Sequence, residues 1–196
     1  MYKCYVAIGD SLTEGFGDVI EGFEKSPWPD LLSHSLGIVD FYNLGKSGYR
    51  TDEILKELLP QALALKPDLV SITAGGNDMI QLKWSKKQYE QRMRYMIETL
   101  TSQGASVMTC TLPFFTKHVK APLYKKIIGN FWLKQCNTVI SNLATQYQTI
   151  HIDFANHQCA LDLTNWSSDC IHPNSKGYAE IANAYHELIH QHSNRL

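Results

Sequence analysis

The 196-residue sequence has no apolar run close to the roughly 20 residues a helix needs to cross a bilayer, which argues against integral membrane association. It also lacks an excess of charge. Eighteen basic residues face 19 acidic ones, and a net charge of −1 recommends neither nucleic acid nor an acidic membrane as a partner. Cysteine is scarce and odd in number. Cys4, Cys110, Cys136, Cys159 and Cys170 include no C-x-x-C pair, which argues against a disulfide framework and a zinc site. They read as reduced thiols, with Cys4 and Cys110 packing in strands as small apolar residues. No internal repeat, low-complexity tract or linker interrupts the chain, so 1–196 is expected to form a single domain. No signal peptide is evident. Met1 leads straight into the strand-like Tyr2–Ile8, too short for a secretory apolar region, and a cytoplasmic protein is expected.

What is present is an alternation of short apolar runs and longer helical patterns. Strands are expected at Cys4–Ile8, Val39–Asn43, Leu69–Thr73, Ser106–Thr111 and Thr149–Ile152. These runs are nearly continuously apolar, as strands covered on both faces are. Helices are expected at Pro29–Leu36, Thr51–Leu65, Ser85–Gln103, Leu133–Tyr147 and Asn174–Ser193. Ser85 with Gln88 resembles a capping box, and Asn174 reads as a cap for the last helix. The alternation predicts an α/β fold, a parallel sheet of about five strands with helices on both sides. Sites in such sheets lie outside the carboxyl ends of the strands.

Four segments fall at those ends. The first is Gly9-Asp10-Ser11-Leu12, after the first strand. A serine at a strand-to-helix turn can expose its hydroxyl and act as a nucleophile, although Gly-Asp-Ser alone reads equally well as a helix N-cap. The surround is not the Gly-x-Ser-x-Gly elbow, because position 13 is Thr. Asp10 is expected to order the loop by hydrogen bonds. The last segment, Asp169-Cys170-Ile171-His172-Pro173, places a carboxylate three residues before a histidine. Asp169 can orient one ring nitrogen of His172 while the other accepts the proton of Ser11. His34, His118, His151, His157, His186, His190 and His192 lack that context. Between these segments, Asn43-Leu44-Gly45 and Gly75-Gly76-Asn77-Asp78 offer oxyanion donors. Those are the N–H groups of Ser11 and Gly45 and the amide of Asn77. Singly, each of the two glycine segments also reads as a turn.

In this ordered quartet the chain resembles the SGNH hydrolases, the GDSL esterase/lipase family. The resemblance spans nearly the whole chain. It implies Ser11, Asp169 and His172 as catalytic residues, with Ser11, Gly45 and Asn77 as the oxyanion hole. It implies a flavodoxin-like three-layer α/β/α sandwich, no metal or organic cofactor, and hydrolysis of a small-molecule acyl ester, of esterase, lipase or acyl-thioesterase type, through an acyl-serine intermediate. A carbohydrate O-acetylesterase is the enzymatic alternative, and a binding module on the same fold the non-enzymatic one. The architecture alone also admits a flavin or nucleotide protein, but no phosphate-cradling glycine loop supports that. Leu112-Pro113-Phe114-Phe115, with Tyr124 and Phe131-Trp132, can form an apolar wall for substrate. Phe114 and Phe115 are the candidate binding residues. Phe131 and Trp132 read equally well as the core face of a helix. Lys117, Lys120, Lys125 and Lys126 make the same stretch basic, fit either to meet an anionic head group or to form a solvated face.

Overall fold

A computed structural model describes residues 2–117 and 119–193. Five parallel strands form one sheet in the order β2-β1-β3-β4-β5. They are β1 (Cys4–Gly9), β2 (Asp40–Asn43), β3 (Leu69–Thr73), β4 (Ser106–Cys110) and β5 (Ile150–Ile152). This is the flavodoxin-like order, with its switch point between β1 and β3. There Gly9 pairs with Thr73, so the carboxyl ends of the two strands finish level.

The pleat sorts side chains to two faces. Val6 and Ile8 join one core cluster, while Tyr5 and Ala7 join the other. The first face is covered by the 51–64 helical run, by α6 (Lys86–Ser102) and by α7 (Leu123–Tyr147). The second is covered by α2 (Trp28–Ser35) and α9 (Ser175–Ser193), where Trp28 stacks on Tyr185 with ring centroids 5.0 Å apart. The structure is therefore the three-layer α/β/α sandwich that the alternation predicts. Among the described residues, no helix is long and apolar enough to cross a membrane.

The departures from expectation have local causes. The 51–64 run is not one regular helix. α3 (Thr51–Glu53) and α4 (Leu59–Ala64) are joined by a π turn, Ile54–Leu58, in which Leu59 N–H bonds to Ile54 C=O. Pro60 explains it. A proline lacks the N–H for the carbonyl four residues back and its ring crowds that carbonyl, so the turn widens. α7 starts ten residues before the expected Leu133, at the extended Pro122. Three short helices also appear: α1 (Ser11–Glu14), α5 (Gly76–Ile80) and α8 (Gln158–Leu161). Helices of four or five residues hold too little of a 3.6-residue period to be read from the pattern.

The start of α9 is clamped to the chain before it. Asn174 Oδ1 accepts Gly177 N–H at 3.0 Å, the capping bond expected of it. Its Nδ2 donates to Thr164 O and Trp166 O at 2.8 and 3.0 Å. Gly177 is needed here by close approach, because a Cβ at that position would overlap the Asn165 backbone carbonyl. Alanine normally stabilises a helix over glycine by about 0.5–1 kcal/mol. Gly177→Ala is expected to do the reverse, lowering stability by about 1–3 kcal/mol through overpacking. Denaturant unfolding of the variant beside the parent measures the sign.

Candidate active site

The site gathers at the carboxyl edge of the sheet. Asp10 caps α1, its Oδ1 accepting Leu12 N–H at 3.0 Å. The cap role therefore falls to Asp10, which leaves the Ser11 hydroxyl, on the first helical residue, for another partner. That partner is His172, whose Nε2 lies 2.8 Å from Ser11 Oγ across 161 positions of sequence. On the other side of the ring, Nδ1 lies 2.6 Å from Asp169 Oδ2. Asp169 Oδ1 accepts the N–H groups of Ile171 and His172 at 2.9 and 3.0 Å. Cys170 takes a left-handed turn, φ +58°, which folds the segment so that carboxylate and imidazole meet. Partial burial opposes ionisation of Asp169, but its bonds from the backbone and from His172 outweigh this and hold its carboxyl below the ordinary range.

Asn77, in the first turn of α5, donates from Nδ2 to Tyr49 O at 3.1 Å and to Asp10 Oδ2 at 3.4 Å. Its neighbour Asp78 is buried and accepts Thr51 N–H, Thr51 Oγ1 and Arg92 Nη1 at 3.0, 2.7 and 3.3 Å. Burial raises Asp78 above its ordinary value despite these donors.

Gly45 requires a correction. Its N–H donates to Asn43 Oδ1 at 3.0 Å, and it packs so closely on the backbone of Thr13 and Glu14 that a Cβ would clash. Asn43 is itself fixed, its Nδ2 donating to Thr13 O and Asp30 Oδ2, both at 2.9 Å. Gly48, three residues on, lines the cavity beside Ser11 and Asn77, and its N–H has no acceptor among the described residues.

The cavity itself measures about 340 Å³. Trp28, Phe115, Phe154, Ile181 and Tyr185 form much of its wall, and Phe16 and Ile80 reach it from the surface. The Phe16 ring stands edge-on to His172 with centroids 4.8 Å apart. Of the two expected aromatic binding residues only Phe115 lines the cavity; Phe114 packs against the core instead. Tyr124 and Phe131 are exposed and Trp132 packs on the core, so none of the three is in the wall. The sequence reading missed the part of the wall that comes from α2, α9 and the segment after β5. Those aromatic residues are spread over 157 positions and carry no common motif.

Four of the other histidines are engaged elsewhere. His151 Nδ1 lies 2.9 Å from Thr109 Oγ1, His157 caps α8, and His186 lies 3.0 Å from His190. His118 and the side chain of His192 lie outside the described residues.

The model of the GDSL-like Lipase/Acylhydrolase family matches residues 7–180. Among solved structures, a protein assigned to the lipolytic G-D-S-L family from Desulfitobacterium hafniense is 22% identical, with a TM-score of 0.76 over 95% of this chain and 99% of that one. TesA is 23% identical, with a TM-score of 0.69 over 95% and 96%. A variant of the acetyl xylan esterase Axe2 from Geobacillus stearothermophilus is 19% identical, with a TM-score of 0.70 over 95% and 94%. At these identities the likeness establishes a shared fold. No curated protein matches by sequence.

Asp10 carries a cost that can be measured. Burial pushes its carboxyl up from 3.8 to about 7; the Leu12 N–H opposes this and the Asp78 charge adds to it. The folded state therefore keeps a proton that the unfolded chain releases. The stability linked to it is present below about pH 4 and is lost as pH rises towards about 7. Asp10→Asn cannot ionise, so its stability is expected to fall less than that of the parent between pH 5 and pH 8. Denaturant midpoints at the two pH values measure the difference.

Proposed function

The chain belongs to the GDSL-like lipase/acylhydrolase family, and from that premise we propose that it hydrolyses carboxylic esters of acyl groups longer than acetyl through an acyl-serine on Ser11. Ester hydrolysis by a serine hydrolase comes with the family. The assignment of residues is supported by the hydrogen-bonded run Ser11–His172–Asp169 at an apolar cavity. Ser11 Oγ attacks the carbonyl carbon as its proton passes to His172 Nε2. Asp169 holds the other ring proton on Nδ1 and stabilises the imidazolium. The oxyanion is met by the N–H groups of Ser11 and Gly48 and by Asn77 Nδ2, whose longer bond, to Asp10, is the one to yield. Collapse of the tetrahedral state returns the Nε2 proton to the leaving alkoxide. Water, activated by the same imidazole, then attacks the acyl-serine and releases the acid.

The likeness to Axe2 makes an acetylated sugar the competing substrate. The cavity wall favours an acyl chain. Several of its polar groups are committed within the protein: Thr111 Oγ1 donates to Asp153, Tyr185 Oη to Thr109 O, and Asn165 Nδ2 to Cys159 O, while Asn165 Oδ1 has no partner among the described residues. A sugar would bury hydroxyls that lack partners, at about 1–3 kcal/mol for each unsatisfied group.

An organophosphonate is expected to add its mass to Ser11 and to no other residue. His172→Ala should lower kcat by orders of magnitude with the fold intact, and Asn77→Ala by about 10²–10³-fold. Turnover in His172→Ala near that of the parent would reassign the base. For the acyl preference, p-nitrophenyl acetate, butyrate and octanoate are compared with an acetylated xylooligosaccharide. kcat/KM is expected to rise by about fourfold per methylene, about 0.8 kcal/mol each, until the cavity is filled. Preference for either acetyl substrate would refute the long-chain reading while leaving the serine mechanism in place.

A further inference from the structure

Between Glu98 and Asp153 the sequence has five lysines and no acidic residue, so a chain of net charge −1 concentrates positive charge in one stretch. The first half of α7 lies in it. Leu123, Tyr124, Ile127, Ile128 and Phe131 there are between 44% and 74% exposed. At roughly 100° per residue, they span an arc of about 140° on one side of the helix. The other side of these turns sits on the segment after β4. Thr116 Oγ1 donates to Asn130 Oδ1, and a Cβ at Gly129 would press on Thr116. The exposed face is thus held outward by contacts behind it. Lys125 and Lys126 flank the apolar stripe and Lys134 extends it, while the side chain of Lys117 lies outside the described residues.

The first turns of α7 lie against a segment that reaches the cavity. Phe115, next to Thr116, lines the cavity, and α5, which packs against α7, supplies the exposed Ile80 to its rim. An apolar stripe with lysines at its margins suits the boundary between lipid head groups and acyl chains. A second copy of the chain suits it less, because a two-fold interface sets a patch against itself and would bring lysine to lysine.

We propose that the first half of α7 is an interfacial anchor that lays the mouth of the cavity on an anionic lipid surface. The contact is peripheral: the stripe enters the head-group region and the lysines meet lipid phosphates. Acyl substrate then reaches the cavity at Ile80 and Phe115 without crossing water.

The test is sedimentation of the full chain with vesicles of phosphatidylcholine alone or with phosphatidylglycerol added. Binding is expected to the anionic vesicles, weakening as salt is raised. Lys125→Gln/Lys126→Gln should lower affinity by about fivefold per lysine, equivalent to about 1 kcal/mol each. Ile127→Ser/Phe131→Ser should abolish binding, while both variants keep the melting temperature and the turnover of a soluble acetate ester. Absence of binding to either vesicle, or equal binding to both, would overturn the proposal. So would a dimer in analytical ultracentrifugation that Ile127→Ser/Phe131→Ser dissolves, which would assign the face to a second copy. Binding is read without turnover, so failure of the ester-hydrolysis reading would leave this result unchanged.

Discussion

The bond between Ser11 and His172 joins residues 161 positions apart, and its 2.8 Å length depends on a set of hydrogen bonds that stitch the loop after α1 to the loop before α9. Asp18 is at the centre of the stitching. Its N–H donates to Ser167 Oγ at 2.9 Å, its carboxylate accepts Ser168 N–H at 2.7 Å, and its carbonyl accepts Ser175 N–H at 2.9 Å. Ile20 N–H reaches Ser175 Oγ at 2.8 Å, and Tyr178 Oη donates to Phe16 O at 2.7 Å. Each such bond is worth about 1 kcal/mol net. Together they settle where His172 stands relative to Ser11, and so, in the proposed mechanism, lower the entropic cost of assembling the reacting groups. The parallel sheet brings the two loops to one edge; Asp18 and Asn174 determine their spacing.

The same edge holds two buried acids. Asp10 and Asp78 are nearly inaccessible, and burial raises the carboxyls of both. A core built for stability alone would place apolar residues there. Asp10 instead caps α1 and accepts from Asn77, while Asp78 ties α5 to Thr51 and Arg92. The two acids thereby orient the segments that carry Ser11 and Asn77. The low dielectric that penalises them also strengthens any bond a donor makes to an oxyanion beside them. Stability is given up where preorganisation is gained.

Most of the architecture was legible because buried parallel strands have a simple signature. All five expected strands are present within one residue at each end, since most are short, largely apolar runs between turn residues. The helices that pack a full apolar face, α2, α6 and α9, were equally plain. α7 was read only in part because its two halves obey different rules. From Leu133 onward its apolar residues face the core, whereas from Leu123 to Phe131 they face out, and the periodic signal shifts between the two. The π turn was hidden for another reason. Pro60 was visible, but proline in a helical pattern marks a break or a kink without saying which carbonyl is released.

The site was legible to the extent that chemistry is local in sequence. Asp169 and His172 meet because they stand three positions apart in a tight turn, and such spacing can be read directly. The second backbone donor proposed for the oxyanion could not be, because Asn43-Leu44-Gly45-Lys46-Ser47-Gly48 contains two glycines three positions apart. Which of them presents a free N–H is decided by where the Asn43 side chain turns. It is pulled inward by Thr13 O and Asp30, and its remaining oxygen takes the amide of Gly45. That choice depends on α1 and α2 packing against the end of β2, a tertiary fact that no reading of six residues contains. The cavity wall is illegible for the same reason. Trp28 and Tyr185 are ordinary core aromatics in sequence, and their place in the cavity wall comes from α2 and α9 packing together beyond the ends of the strands.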